Sequence, residues 1–153
     1  MKNSLVLLAL AVGFTFTSCS KDDDAAQTKT QMLTGKNWKV TAATVSVDNA
    51  PAKDFFGQVP DCSKDDFTNY AADGKVTFDA GATKCAANEA QTQSGTWTFT
   101  DNETKLSVTQ DNDPTVYTIS ELTSSKLVLS ATETFTNGGQ TNTFQYVTTF
   151  EAK

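Results

Sequence analysis

The second half of the chain repeats one pattern, and this pattern limits the fold more than any other feature. From Ser94 to Glu151, short segments in which apolar or aromatic residues alternate with threonine are separated by turn sequences at 101–103, 111–114, 123–125 and 137–139. Alternation with a period of two is typical of half-buried β-strands, and even spacing of such segments favours an antiparallel all-β domain. The pattern predicts strands at 94–100, 105–109, 115–122, 126–136 and 141–151.

The first half of the chain continues this organisation less regularly. Residues 28–33 allow one or two helical turns, and a strand with alternating apolar residues opens at Trp38. The alternation loses phase at Ala42-Ala43, which predicts a β-bulge. Two further strands, at 67–70 and 75–80, are joined by a turn at Asp73-Gly74, a pair that tolerates the positive φ angles of tight hairpins.

A sheet of about eight strands joined in this way can protect its unpaired edge strands either by closing into a barrel or by packing as two sheets. If they close, the interior is just filled by side chains or holds one small ligand. Large rings are frequent among the positions expected to face inward, so any cavity should be small. The candidate interior and ligand-binding residues are Trp38, Phe78, Trp97, Phe99, Tyr117, Glu133 and Tyr146.

Two features leave alternatives open. Counting by twos from Leu127 places Glu133 inside, where a carboxylate needs a partner or a ligand, unless a bulge turns it to solvent. The predicted loop at 48–60 contains Phe55-Phe56, which is too apolar for a plain linker. One of these rings plugs an open end of the core, or the pair forms a lid over a ligand cavity.

The N-terminus has the features of an export signal. Lys2 precedes an apolar run from Leu5 to Phe16 that is too short to span a bilayer, and Cys19 follows small residues in a sequence that resembles the lipobox of bacterial lipoproteins. We therefore expect a signal peptide at 1–18, a flexible acidic tether at 19–30 that starts at the lipidated Cys19, and one domain at 31–153. The resemblance implies an outer-membrane lipoprotein exposed at the cell surface, with a periplasm-facing protein as the alternative.

Two further cysteines remain after Cys19. In an exported protein an even pair is expected to form a disulfide, so Cys62 and Cys85 are predicted to be bonded. A metal site is the alternative, but two thiols with no histidine form a poor ligand set.

Composition excludes several function classes. The net charge is −6, and the sequence has neither histidine nor arginine, so a nucleic-acid partner and a histidine-dependent catalytic triad are not expected. Acidic runs at 65–66, 101–103 and 111–113 lack calcium-loop spacing and are better explained as solvated turns. We expect no enzyme activity, no cofactor and no metal.

A family resemblance rests on four motifs. Gly35-Lys36-Asn37-Trp38, the cysteine run at 62–66, the aromatic segment before Asp73-Gly74 and Gly95-Thr96-Trp97 together resemble the lipocalin-like domains of bacterial surface lipoproteins over residues 30–153. The resemblance implies a monomeric up-and-down barrel of eight antiparallel strands that binds a small hydrophobic or amphipathic ligand. The first motif has one residue more than the lipocalin Gly-x-Trp, and the arginine that packs on this tryptophan in many lipocalins is absent. The alternative function is a structural or interaction protein with a solid barrel and loop-mediated protein contacts.

Overall fold

The computed structural model describes residues 27–153, so the expected signal peptide and Cys19 lie outside the described residues. Within this range, no helix is long and apolar enough to cross a membrane. The described residues form one helix, α1 (Lys29–Leu33), and nine strands: β1 (Asn37–Val47), β2 (Lys53–Asp54), β3 (Phe67–Tyr70), β4 (Lys75–Asp79), β5 (Thr92–Thr100), β6 (Lys105–Gln110), β7 (Asp113–Leu122), β8 (Lys126–Asn137) and β9 (Gln140–Ala152).

Eight of these strands close into a barrel. From β3 to β9 each strand pairs antiparallel with the next, and β1 pairs with both β3 and β9. The short β2 lies beside β1 at Thr44 and Val45, beyond the point where β3 ends. Closure leaves no long exposed sheet edge, and the predicted all-β, up-and-down barrel of eight strands is confirmed.

Two register shifts bend the barrel wall. The predicted bulge is confirmed in β1, where the pairing with β9 shifts between Val40 and Ala42. A second shift occurs in β7 between Ile119 and Glu121. The pairing of β7 with β8 ends at Thr118–Ser130, whereas β8 and β9 remain paired as far as Asn137–Gln140. The β8–β9 hairpin therefore continues beyond the point at which β7 separates from β8.

The segment predicted as a loop at 48–60 is more ordered than expected. It contains β2 and a 3₁₀ turn at Phe56–Gln58, so part of the predicted loop is regular secondary structure. The backbone N–H of Phe55 donates to the carbonyl oxygen of Ala43 at 2.8 Å, which ties the segment to β1. A two-residue strand is too short to produce a recognisable alternation, so β2 could not be predicted from the sequence pattern.

The apolar core fills only one half of the barrel. We call this half the closed end, and it holds α1 and the turns at 71–74, 101–104 and 123–125. Thr28 caps α1 through a capping box with Gln31, and Leu33 of this helix is fully buried. The rings and aliphatic side chains packed together there are Leu33, Trp38, Tyr70, Val76, Trp97, Leu106, Val108, Leu127 and Leu129.

Two indole N–H groups hold the closed end together. Trp38 Nε1 donates to the carbonyl oxygen of Leu33 at 2.7 Å, which fixes α1 over the barrel. Trp97 Nε1 donates to the carbonyl oxygen of Ala71 at 2.9 Å, which fixes the turn between β3 and β4. Lys36 places its Nζ 5.7 Å from the centroid of the Trp38 ring. The opposite end of the barrel, which we call the open end, carries the longer loops at 48–66 and 80–91.

Candidate functional site

Three adjoining cavities occupy the open half of the barrel. The mouth cavity, about 420 Å³, lies between β1, β7, β8, β9 and the segment after β2. The interior cavity, about 220 Å³, lies deeper along the barrel axis, and the side cavity, about 340 Å³, lies near β3, β4 and the loop at 80–91. The mouth and interior cavities share Thr115, Tyr117 and Thr148 in their walls. The space at the open end is therefore of the size that small-molecule sites usually have.

Phe55 and Phe56 lie on the wall of the mouth cavity. Both belong to residues 55–63, which we call the lid segment. The Phe55 side chain is 43 % exposed, and Phe56 is half-buried. Neither ring is among the side chains that pack against the closed-end core. Their position on the cavity wall favours the lid over the plug.

The predicted disulfide lies at the open end. Cys62 and Cys85 are bonded, with their Cα atoms 5.1 Å apart, and this bond joins the lid segment to the loop between β4 and β5. Ser63, which follows in the lid segment, lines the mouth cavity and places its Oγ 3.2 Å from the Cys85 sulfur. The predicted bond therefore connects two loops that border the cavities, and it also closes the base of the β3–β4 hairpin.

Glu133 faces the mouth cavity. Its strand keeps an unbroken register with β9 from Ala131–Tyr146 to Glu133–Phe144, so the residue stays on the same face as buried Leu129. The alternative in which a bulge turns Glu133 outward is wrong. The side chain is exposed because it lies at the rim, beyond the point where β7 and β8 separate.

Two tyrosines bring hydroxyl groups into the interior cavity. Burial raises the pKa of Tyr70 well above its ordinary value, with a smaller contribution from Tyr117. Burial also raises the pKa of Tyr117; a hydrogen bond with the Thr115 side chain opposes this, and the negative charge of Glu133 adds to it. Both phenols therefore stay protonated at neutral pH and are available as hydrogen-bond donors.

The side cavity is bordered by carboxylates. Burial raises the pKa of Asp66, and the nearby negative charges of Asp65, Glu89 and Asp79 raise it further. Within residues 27–153, no group of three or more histidine, cysteine, aspartate or glutamate side chains is arranged to hold a metal ion.

Five of the seven candidate interior residues line a cavity. Tyr117, Glu133 and Tyr146 line the mouth cavity, Phe78 lines the interior and side cavities, and Trp38 contributes to the side cavity from the closed end, where it is 1 % exposed. Trp97 and Phe99 line none of the three. They pack edge to face within the closed-end core, with ring centroids 5.2 Å apart, so the structure places neither of these two predicted ligand contacts on the wall of these cavities.

The seven candidate interior residues leave out several small or polar wall residues. Ala131, Thr115, Thr148 and Gln110 line the cavities, although none is large or aromatic. The alternation already places Thr115 on the face of Tyr117 and Thr148 on the face of Tyr146 and Phe150. Small inward side chains at the open end leave room for the cavities. Their positions in the alternation were therefore the sequence signal from which the cavity walls could have been predicted.

Comparison with known proteins agrees with this architecture. No curated protein matches the chain significantly. The model of the family described as a lipocalin-like domain matches residues 33–129, more than half of the chain, from the last residue of α1 into β8. With its closed eight-stranded barrel and this match, the chain belongs to the lipocalin-like domain family.

Proposed function

We propose that this protein is a lipid-anchored protein of the bacterial cell envelope whose barrel binds a small hydrophobic or amphipathic molecule without catalysis. The observation that carries the binding role is the division of the barrel into a packed closed end and an open end with adjoining cavities. A ligand bound there meets apolar and aromatic walls with a few hydroxyl groups, the lining that small-molecule sites usually have.

The geometry supports binding through the mouth cavity. The lid segment lies on one side, with Phe55 and Phe56, and the β8–β9 hairpin lies on the other, with Tyr146. The alternative function, a solid barrel that acts through its loops, requires a filled interior, and the open half of this barrel is not filled.

A fluorescent-probe titration tests the binding role. The full chain, carrying Cys19→Ser to prevent acylation, is titrated with the neutral apolar dye N-phenyl-1-naphthylamine. Ala131→Phe fills the mouth cavity opposite Tyr146 and should weaken dye binding by about tenfold or more, since overfilling a site excludes its ligand. Thr132→Phe, one residue along the same strand and on the outer face, is the matched control and should bind like the parent.

A parent chain that does not bind the dye, or equal affinities for the two phenylalanine variants, would refute the binding role. Far-UV circular dichroism of each variant verifies that the strands have formed.

The anchoring proposal rests on the sequence around Cys19. Acyl chains contribute about 0.8 kcal/mol of membrane affinity per buried methylene, and two or more chains give a stable anchor. Labelling of cells with a radioactive fatty acid should mark the parent protein and leave Cys19→Ser unmarked. Protease treatment of intact cells should digest the domain if it faces outward and spare it if it faces the periplasm.

The absence of catalysis is proposed from the residue types. The sequence has no histidine, so no Ser-His-Asp or Cys-His arrangement can be built from it. The ionisable side chains on the cavity walls are carboxylates and tyrosines whose arrangement fits binding through charge and hydrogen bonds.

A further inference from the structure

Glu133 is a carboxylate on a cavity wall with no cation beside it. The four ion pairs among residues 27–153 lie elsewhere: Lys64–Asp61, Lys75–Asp73, Lys105–Asp101 and Lys126–Glu121. The register with β9 places Glu133 beside Phe144 and diagonal to Tyr146, over the small side chain of Ala131. A ligand that enters the mouth cavity therefore covers a negative charge that the protein itself does not neutralise.

The charged side chains that line the three cavities have one sign. The loops of the open end also carry Lys53, Lys64 and Lys84, and Lys64 pairs with Asp61 and lies 6.0 Å from the centroid of the Phe56 ring. No lysine side chain lines any of the three cavities of the described barrel, and the formally charged wall residues are Asp66, Asp79, Glu89, Asp113 and Glu133. The net charge of the chain is −6. A cavity lined by one sign of charge raises the local concentration of counter-ions and disfavours ligands of its own sign.

Aromatic rings on the β8–β9 hairpin lie on the same face as the carboxylate. Phe144 stacks on Tyr146 with ring centroids 6.3 Å apart, and Phe135 meets Phe144 edge to face at 5.6 Å. Tyr117 lies on the neighbouring strand β7, close enough for the Glu133 charge to raise its pKa. The negative faces of such rings attract organic cations, and quaternary ammonium groups are commonly bound in this way.

We propose that the ligand is a cationic amphiphile, with an ammonium group held by Glu133 and the surrounding rings and an apolar body in the mouth and interior cavities. The inference rests on the proposed binding function and specifies its ligand class. A bound cation compensates the carboxylate as the ligand removes water from it, whereas a neutral apolar molecule leaves it uncompensated. A fatty acid brings a second negative charge to the same place.

This specificity does not follow from the family match. Ala131, Glu133, Phe144 and Tyr146 all lie after residue 129, where the match to the lipocalin-like domain ends. The proposed cation site is built on the part of the β8–β9 hairpin that lies outside the matched residues.

The test compares three probes that share one apolar chain. Octyltrimethylammonium, octyl glucoside and octanoate are titrated by calorimetry, below their micelle-forming concentrations, into the full chain carrying Cys19→Ser. The ammonium compound should bind about tenfold more tightly than octanoate at low salt, with a smaller difference at high salt because the charges are screened.

Two matched variants locate the charge. Glu133→Gln should weaken binding of octyltrimethylammonium by about fivefold and leave octyl glucoside unchanged. Glu151→Gln removes the same charge from the outer face of the neighbouring strand and should change neither affinity.

The possible outcomes separate the two proposals. The cation site is refuted, and the binding function stands, if octanoate or octyl glucoside binds as tightly as the ammonium compound. The same conclusion follows if Glu133→Gln and Glu151→Gln weaken binding of the ammonium compound equally. If no octyl compound binds and the neutral dye does not bind either, both proposals are refuted.

Discussion

The two tryptophans were expected to act alike, and the structure separates their roles. Both belong to the closed-end core, but Trp38 reaches the side cavity, while Trp97 is buried among Tyr70, Phe99 and Val76. Alternation along a strand shows which face a residue occupies, because successive side chains point to opposite faces. It does not show how far along the barrel axis the residue lies, so core and cavity residues could not be distinguished.

Replacement of Trp97 tests this separation. Trp97→Phe removes the hydrogen bond to the carbonyl oxygen of Ala71 and part of a buried ring, and should lower the free energy of unfolding by about 2 kcal/mol. Dye affinity should stay unchanged, because Trp97 lines no cavity of the described barrel. Tyr146→Ala is the counterpart and should weaken dye binding with a smaller loss of stability. Urea unfolding and dye titration measure the two effects, and loss of binding in stable Trp97→Phe would contradict the assignment.

The raised pKa of Asp66 predicts that neutralising this side chain stabilises the protein in a pH-dependent way. Burial and three neighbouring carboxylates hold this pKa above its ordinary value. The folded state therefore holds the proton more tightly than the unfolded state, and stability is lost as the pH rises through the raised pKa. Asp66→Asn should raise the free energy of unfolding at neutral pH, and this gain should vanish below about pH 3.9, the ordinary pKa of aspartate.

The adjacent residue provides the control for this experiment. Desolvation acts to raise the pKa of Asp65, but backbone N–H groups of Ala82 and Thr83, at 2.9 and 3.0 Å, donate to its carboxylate and hold the pKa below its ordinary value. Asp65→Asn should therefore destabilise the protein at neutral pH, with the loss disappearing as the pH falls. Urea unfolding across pH should show changes in the free energy of unfolding of opposite sign for the two variants at neutral pH. Changes of the same sign would show that the local charges do not control stability here.

At the scale of elements, the sequence predicted the strands well and the open-end segments poorly. The bulge in β1 and the strands from β5 to β9 agree with the alternation of apolar and polar residues. The predicted loop at 48–60, in contrast, pairs with β1 through β2, where only Lys53 and Asp54 are involved. The local sequence also does not indicate where β7 and β8 separate, because this point depends on how the neighbouring strand bends. Very short elements, and features that depend on tertiary packing, therefore could not be predicted from the sequence.

The disulfide is expected to serve both stability and binding. Cys62 and Cys85 are 23 residues apart, and a cross-link over such a loop stabilises the folded state by about 3 kcal/mol in the chain-entropy description. The double variant Cys62→Ser/Cys85→Ser should lose stability of this order. It should also bind the dye more weakly, because the lid segment is no longer held to the loop between β4 and β5.

Guanidinium unfolding and dye titration at a temperature where the variant is folded measure these effects. The parent chain with its thiols reduced should match the double variant. Unchanged dye affinity in a folded double variant would show that the bond does not position the lid segment.

At the scale of the whole molecule, the barrel combines two halves with different composition. Large apolar side chains, α1 and two indole hydrogen bonds fill the closed end, whereas small and polar wall residues leave the open end accessible. The aromatic content of the sequence predicted a partly filled interior, and this is confirmed for one half. Lys36 lies against the Trp38 ring and adds a cation–aromatic contact to the closed end.

The central claim is that ligands occupy the open end, and chemical-shift mapping tests it most directly. In two-dimensional NMR spectra of the isotope-labelled full chain carrying Cys19→Ser, N-phenyl-1-naphthylamine should shift the backbone amides of the cavity walls, including Phe56, Ala131 and Tyr146. The amides around Leu33 and Leu106, in the closed-end core, should remain in place. Shifts concentrated at the closed end or scattered over the outer face of the barrel would contradict the account.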